Sequence, residues 1–218
     1  MTPKALIFDF DGLLMDTETT LLASWQWEWR RHGLELDPRG FFADHGGDAN
    51  EARYLALAAA VGSAYDRTSS HTLRQAHRAV LNAALQPAPG ITGWLDRAAA
   101  LGLRLAVASS SHVEHVGAML NRAGLLPRFE VLATGDEVPA PKPDPAVYRL
   151  ALDRLGVAAA EAVAFEDTPH GAAAADAAGL RCVAVPNPHA DPARFTTAAL
   201  VLPGAAAMPL DAVLAALP

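Results

Sequence analysis

The sequence predicts an α/β fold: a three-layer, doubly wound parallel sheet with a helical segment inserted into it. Three observations carry this expectation. Short, nearly continuous apolar runs recur along the chain, each ending in polar or small residues. Segments of helical periodicity separate them, and one long stretch near the N-terminus holds no convincing strand. Apolar runs of this kind suit strands buried on both faces of a parallel sheet, and strand–helix alternation demands right-handed crossovers.

The strand candidates, in order, are Ala5 to Phe8, Leu103 to Ala108, Phe129 to Leu132, Ala162 to Phe165 and Cys182 to Val185, with Leu200 to Leu202 as a sixth. Between them, His112 to Ala123 carries Val113, Val116 and Leu120 at helical spacing. Ser111 and Glu114 have the spacing of a capping box there, and Gly124 can take the left-handed position after the helix. Ala146 to Leu155 follows Asp144 as N-cap and Pro145 at the first helical position, and Gly156 closes it. Ala172 to Ala178 ends at Gly179.

The strandless stretch runs from Asp16 to about Gln86. Leu21, Leu22, Trp25, Trp29 and His32 share one helical face. Trp25, Trp27 and Trp29 also alternate like a strand, but the flanking leucines and the Arg-rich turn that follows favour helix. Ala52 to Val61 and Thr72 to Leu85 read as further helices. With Gly and Pro clustered at Gly12 to Asp16 and at Gln86 to Gly90, the expected division is an α/β core of residues 1–15 and 88–218 and a helical domain of residues 16–87.

Composition excludes several classes of function. In 218 residues the hydrophobic fraction is 51% and the charged fraction 19%, which is globular. A net charge of −7 offers no electrostatic footprint for nucleic acid or anionic lipid, and no apolar run approaches the ~20 residues a membrane span needs. Asp9 and Asp11 interrupt the uncharged stretch of a signal peptide, and Cys182 is the single cysteine, so a cytoplasmic protein is expected. Nothing demands a partner chain, and a monomer is the expectation.

The chemistry concentrates at strand ends. Asp9 and Asp11 follow the first strand; in an extended chain residues at i and i+2 point to one side, here toward the carboxyl edge of the sheet, where open α/β folds bind ligands. Glu166-Asp167 follows the strand ending at Phe165 in the same way. Were those strands neighbours, four carboxylates would converge, and a divalent cation would relieve the conflict. Oxygen donors without convergent Cys or His suggest Mg²⁺ over Zn²⁺. Ser109-Ser110-Ser111 opens a helix and would aim hydroxyls and N–H groups at an anion. Lys142, one of only two lysines, lies in the stiff loop Pro139 to Pro143 near the same edge. Each residue alone reads as an ordinary cap, turn or solvated group; the combination in successive strand ends does not.

On these residues the sequence resembles the haloacid dehalogenase superfamily, most closely the beta-phosphoglucomutase-like branch with a helical cap after the first strand. Phe8 to Gly12, with Leu13, Leu14 and Asp16-Thr17-Glu18, matches the family's first motif and flap. Val107 to Ser111 matches the second, Lys142-Pro143 the third and Glu166 to Gly171 the fourth. The resemblance implies a Rossmann-like core, with Asp9 as the nucleophile that becomes an aspartyl phosphate and Asp11 as general acid and then base. Mg²⁺ would be held by Asp9, the backbone carbonyl of Asp11 and Asp167, with Glu166 in or just outside the coordination shell. Ser109, Ser110 and Lys142 would bind the transferring phosphoryl group.

Within the family, Asp11 argues against dehalogenation and the absence of any cap lysine against Schiff-base chemistry. Beta-phosphoglucomutase itself is the nearer rival. Its cap carries an arginine for the second phosphate, whereas the corresponding loop here, Asp44 to Asn50, has none before Arg53, and Leu21 stands about where a cap histidine would be. Hydrolysis of a small phosphate monoester, a sugar phosphate or similar metabolite, is therefore the expected reaction; the alternatives are a mutase-type phosphotransferase and a non-catalytic binding module. His45, Gly46 and Gly47 are candidate specificity residues, since glycine lets backbone approach a ligand closely. His112 and His115 read as a solvated helix face, His170 as a neighbour of the site without a defined role, and the Trp25/Trp29 stripe as core of the helical segment.

Overall fold

The computed structural model describes residues 3–42 and 50–218. Its elements, in chain order, are β1 (Ala5–Phe8), α1 (Thr17–Arg31), α2 (Asn50–Val61), α3 (Arg67–Ala83), α4 (Ile91–Ala100), β2 (Arg104–Ala108), α5 (Val113–Arg122), β3 (Val131–Ala133), α6 (Ala146–Leu155), β4 (Ala162–Glu166), α7 (Pro169–Ala177), β5 (Arg181–Ala184), β6 (Leu200–Val201) and α8 (Leu210–Ala216). The chain forms two compact units, Met1–Asp16 with Gln86–Pro218, and Thr17–Leu85.

In the first unit the strands make a parallel sheet of order β3-β2-β1-β4-β5-β6. The two faces of that sheet are unequal in size, and the alternation along each strand explains why. Ala5, Ile7, Ala106, Ala108, Ala162, Ala164, Cys182 and Ala184 line one face, buried with Val147, Tyr148, Ala151, Ala172 and Ala175 of α6 and α7. Small residues there let α6 and α7 approach closely. The other face carries Leu6, Phe8, Leu105, Val107, Val163, Phe165 and Val183, all buried. Phe8 stacks on Phe165 at 4.7 Å between centroids and meets Phe129 edge-on, and Trp94 of α4 lies 5.0 Å from Phe165. Burying both faces makes the strands read as continuous apolar runs.

Local chemistry sets the helix ends. Pro145, not Asp144, is the N-cap of α6, Asp144 Oδ1 accepts from Ala146 N at 2.9 Å one step earlier, and Gly156 ends the helix at φ 62°. Thr168 caps α7 by accepting from Gly171 N at 3.1 Å, so that helix starts earlier than the Ala-rich run alone suggests. The capping box expected at Ser111 and Glu114 does not form: His112 is the N-cap of α5, with no side-chain cap bond, and Val113 N instead donates to Asp136 Oδ1 at 3.1 Å.

The second unit packs α1 against α3, and its interior differs from the sequence expectation. Of the stripe Leu21, Leu22, Trp25, Trp29 and His32, only Trp25 is fully buried; the buried side of α1 is Thr17, Thr20, Ser24, Trp25 and Glu28. These polar groups are buried because they find partners. Thr20 Oγ1 donates to Asn82 Oδ1 at 2.5 Å, Arg74 donates to Ser24 Oγ at 3.2 Å and to Tyr54 OH at 2.9 Å, and Glu28 pairs with Arg31 at 2.9 Å. Arg74 also lies over the Trp25 ring, 4.3 Å from its centroid. Polar groups can occupy a buried helix face when each finds its hydrogen-bond partner. Helix α3 begins at Arg67 rather than Thr72 because Asp66 caps it, accepting from Thr68 N at 3.0 Å and Ser69 N at 3.2 Å.

Candidate active site

β1 is flanked by β2 and β4 in register, with Phe8 opposite Val107 on one side and Phe165 on the other. The chain leaving β1 therefore emerges level with the ends of both neighbours. Asp9 N donates to Phe165 O at 2.9 Å, which extends the pairing one residue past the strand and fixes the Asp9 side chain at the sheet edge.

Asp9, Glu166 and Asp167 are all buried, and each offers an oxygen within 4.8 Å of the others. Lys142 reaches across them. Its Nζ forms a short ion pair with Asp9 Oδ1, donates to Glu166 Oε1 at 2.6 Å and to Ala108 O at 2.8 Å. An ammonium has three protons, and here each has an acceptor. The loop that supplies Lys142 turns through a cis Lys142–Pro143 bond into α6. Tyr148 of that helix donates from its hydroxyl to Glu166 Oε1 at 2.5 Å, and its ring lies 5.0 Å from Lys142 Nζ. Asp167 N donates to Glu166 Oε2 at 3.2 Å, so both Glu166 oxygens engage protein donors. Asn187, just past β5, donates to Asp167 Oδ2 at 2.8 Å.

Three carboxylates face one ammonium. Burial above all, then the Glu166 and Asp11 charges, push the Asp9 carboxyl well above the usual range, against the pull of Lys142. Burial also works to lower the Lys142 ammonium, but the Asp9 and Glu166 charges overcome it and raise it. Burial and the same two carboxylates hold the Tyr148 phenol up, so it stays a donor. A hard divalent cation fits this set: it favours oxygen donors and would supply the positive charge that the buried cluster lacks. Asp9 and Asp167 would be its better ligands, since both Glu166 oxygens already accept protein hydrogen bonds.

Asp11 lies three residues past the end of β1 at Phe8. Asp11 sits in a turn closed by Gly12 N to Met15 O at 2.8 Å, with Gly12 at φ 83°. Its carboxylate is not one of the three whose oxygens converge, although its charge acts on Asp9. Ser111 donates to Asp11 Oδ2 at 2.6 Å, and His115 Nε2 lies 3.4 Å from Asp11 Oδ1. His115 is thus not the solvated residue expected. Ser109 is buried, and its Oγ accepts from Ser111 N at 3.0 Å. Ser110 is exposed and accepts weakly from Lys142 N at 3.4 Å. His45, Gly46 and Gly47 lie outside the described residues.

Four contacts escaped the sequence: Tyr148 on Glu166, Asn187 on Asp167, and Ser111 and His115 on Asp11. The rule that found the aspartates, a polar residue just past a strand end, also covers Asn187. Tyr148 had no such signal, because it reads as one more large residue on an apolar helix face.

Gly171 shows how tightly Glu166 is held. A Cβ at that position would lie 2.0 Å from Glu166 Cδ, and the carboxylate cannot retreat without leaving Tyr148 and Lys142. Gly171→Ala is expected to lower stability by about 1–3 kcal/mol in chemical denaturation. An unchanged midpoint would mean that Glu166 is free to move.

Among the described residues no helix is long and apolar enough to cross a membrane. The family model for haloacid dehalogenase-like hydrolase matches residues 6–185. The protein YhcW of Bacillus subtilis (strain 168) is 39% identical over 184 residues, 84% of each chain. The validoxylamine A 7'-phosphate phosphatase of Streptomyces hygroscopicus subsp. limoneus is 31% identical over 186 residues, 85% of this chain and 87% of that one. The solved structure of a CbbY mutant from Rhodobacter sphaeroides in complex with xylulose-(1,5)bisphosphate matches with a TM-score of 0.77 at 29% identity, covering 94% of this chain and 96% of that chain. With the motif residues gathered at one sheet edge and a family model spanning most of its length, this chain belongs to the haloacid dehalogenase-like hydrolases.

Proposed function

We propose that this chain is a Mg²⁺-dependent phosphatase acting on a small phosphate monoester, a sugar phosphate or similar metabolite, through an aspartyl-phosphate intermediate. The observation that carries the reading is Asp9 held at the tip of β1 in one buried cluster with Lys142, Glu166 and Asp167. The substrate class is supported by the similar proteins named above, one a phosphatase of a phosphorylated natural product and one bound to a sugar bisphosphate.

Each residue then has a task. An Asp9 oxygen attacks phosphorus as the bond to the leaving oxygen breaks, giving the acyl phosphate and splitting hydrolysis into two steps. Asp11 gives its proton to the departing oxygen and later takes one from the water that attacks the aspartyl phosphate. Lys142 and the Ser109–Ser110 segment hold the transferring oxygens, where charge develops. Mg²⁺, when bound by Asp9, Asp167 and the Asp11 carbonyl, supplies the charge that lets an anionic nucleophile meet an anionic substrate. The helical unit Thr17–Leu85 serves as the family's cap and carries substrate selection, His45, Gly46 and Gly47 included.

The test is release of phosphate from 4-nitrophenyl phosphate and from a panel of phosphorylated metabolites. Release that depends on Mg²⁺ and stops with EDTA is expected, and Mg²⁺ at about 100 times its Kd should stabilise the protein by about 2.7 kcal/mol. No release, or release indifferent to EDTA, refutes the reading. Conversion of β-glucose 1-phosphate with a bisphosphate primer to glucose 6-phosphate, without free phosphate, would make the chain a mutase instead.

A further inference from the structure

The contacts that Ser111, just before α5, and His115 on it make with Asp11 go beyond the roles that the four motifs assign. We infer that Ser111 and His115 are positioning residues that clamp the Asp11 carboxylate from both sides and hold it in place for proton transfer. The inference rests on the phosphatase reading and deepens it. Ser111 donates to Oδ2 at 2.6 Å, and His115 Nε2 lies 3.4 Å from Oδ1, so each oxygen has its own partner. A bond to each of its two oxygens fixes the plane of the carboxylate and so its direction. His115 is itself braced: the Phe10 ring meets it edge-on, 5.8 Å between centroids and 85° between planes, and its side chain is 32% exposed.

The clamp also joins two functions in one segment. Ser109 and Ser110 sit at the end of β2, and Ser111 N donates to Ser109 Oγ at 3.0 Å. The loop that would hold the phosphoryl oxygens therefore continues directly into the residues that hold the acid. In the first step the P–O bond to the leaving group breaks, a P–O bond to Asp9 forms, and the Asp11 proton moves to the departing oxygen. A poor leaving group needs that proton in the transition state and a good one hardly does.

The experiment measures kcat/KM, which reports the step that releases the leaving group, across monoesters from 4-nitrophenyl phosphate to simple alkyl phosphates. His115→Phe is expected to cost about thirtyfold on alkyl phosphates and about threefold or less on the nitrophenyl ester, which steepens the dependence on the leaving group. His115→Gln, which keeps an N–H donor near the Nε2 position, should recover most of the loss. Ser111→Ala should steepen the same dependence and serves if His115→Phe folds poorly. Equal losses across the whole series for both variants, or His115→Gln no better than His115→Phe, overturns the clamp. Wild-type protein that releases phosphate from no ester refutes the phosphatase reading itself, and the clamp with it.

Discussion

Lys142→Met is expected to abolish most activity and to destabilise the protein in the same stroke. The Lys142 ammonium is buried and is the cation that faces Asp9 and Glu166, and its protons go to Asp9, Glu166 and the Ala108 carbonyl. Methionine fills the same volume but leaves two buried carboxylates without their donor. Breaking a buried pair by removing one partner costs about 3–5 kcal/mol, because the remaining charge stays out of water uncompensated. Tyr148 and Asp167 N still hold Glu166, so the loss should fall at the lower end of that range. Phosphate release should drop by about 10³-fold, the scale on which a preorganised charge acts at a transition state. Denaturant unfolding and an aryl-phosphate assay on the same preparation check both halves. A variant as stable as wild type would mean that the lysine is not the charge holding this cluster together.

Asp9→Asn has the opposite signature. Activity should fall by at least about 10⁴-fold, since the amide cannot attack phosphorus and no other carboxylate takes its place in line with the substrate. Stability without metal should stay level or rise by about 1 kcal/mol. Burial already disfavours the charged Asp9, and the Glu166 charge adds to that. A neutral isostere removes one of three like charges from a buried cluster, while Lys142 keeps Glu166 as its partner. The stabilisation by Mg²⁺ should weaken at the same time, because one oxygen ligand has lost its charge. Thermal melts of wild type and variant, with and without Mg²⁺, separate these effects. Residual hydrolysis within tenfold of wild type would rule out Asp9 as the nucleophile.

The two variants test one idea from opposite sides. The cluster holds more negative charge than protein cations can balance, so removing the cation harms the fold and removing an anion does not. A site assembled only for stability would show neither the imbalance nor the contrast.

The sequence alone determined the alternation of strands and helices and which residues stand just past the strand ends. Those follow from local chemistry: apolar runs of strand length, proline and glycine at the breaks, and helix-end residues such as Pro145 and Gly156. Strand ends missed by one or two residues, as at Val131–Ala133, because the last pairing depends on the neighbouring strand rather than on the run itself. Order in the sheet, β1 between β2 and β4, was decided by tertiary structure, and it alone brings Asp9 to Glu166 and to Lys142, the latter 133 residues away. So were the partners that tune the site. Whether Ser111 caps α5 or holds Asp11 is a competition between a local bond and a distant one, and the 2.6 Å contact went to the residue 100 positions earlier. The polar face of α1 shows the same thing: Ser24 and Glu28 are buried where Arg74 and Arg31 are in place to satisfy them. Periodicity reports what a residue prefers in isolation, whereas burial of a polar group depends on whether its partner arrives, and only the folded chain supplies the partner.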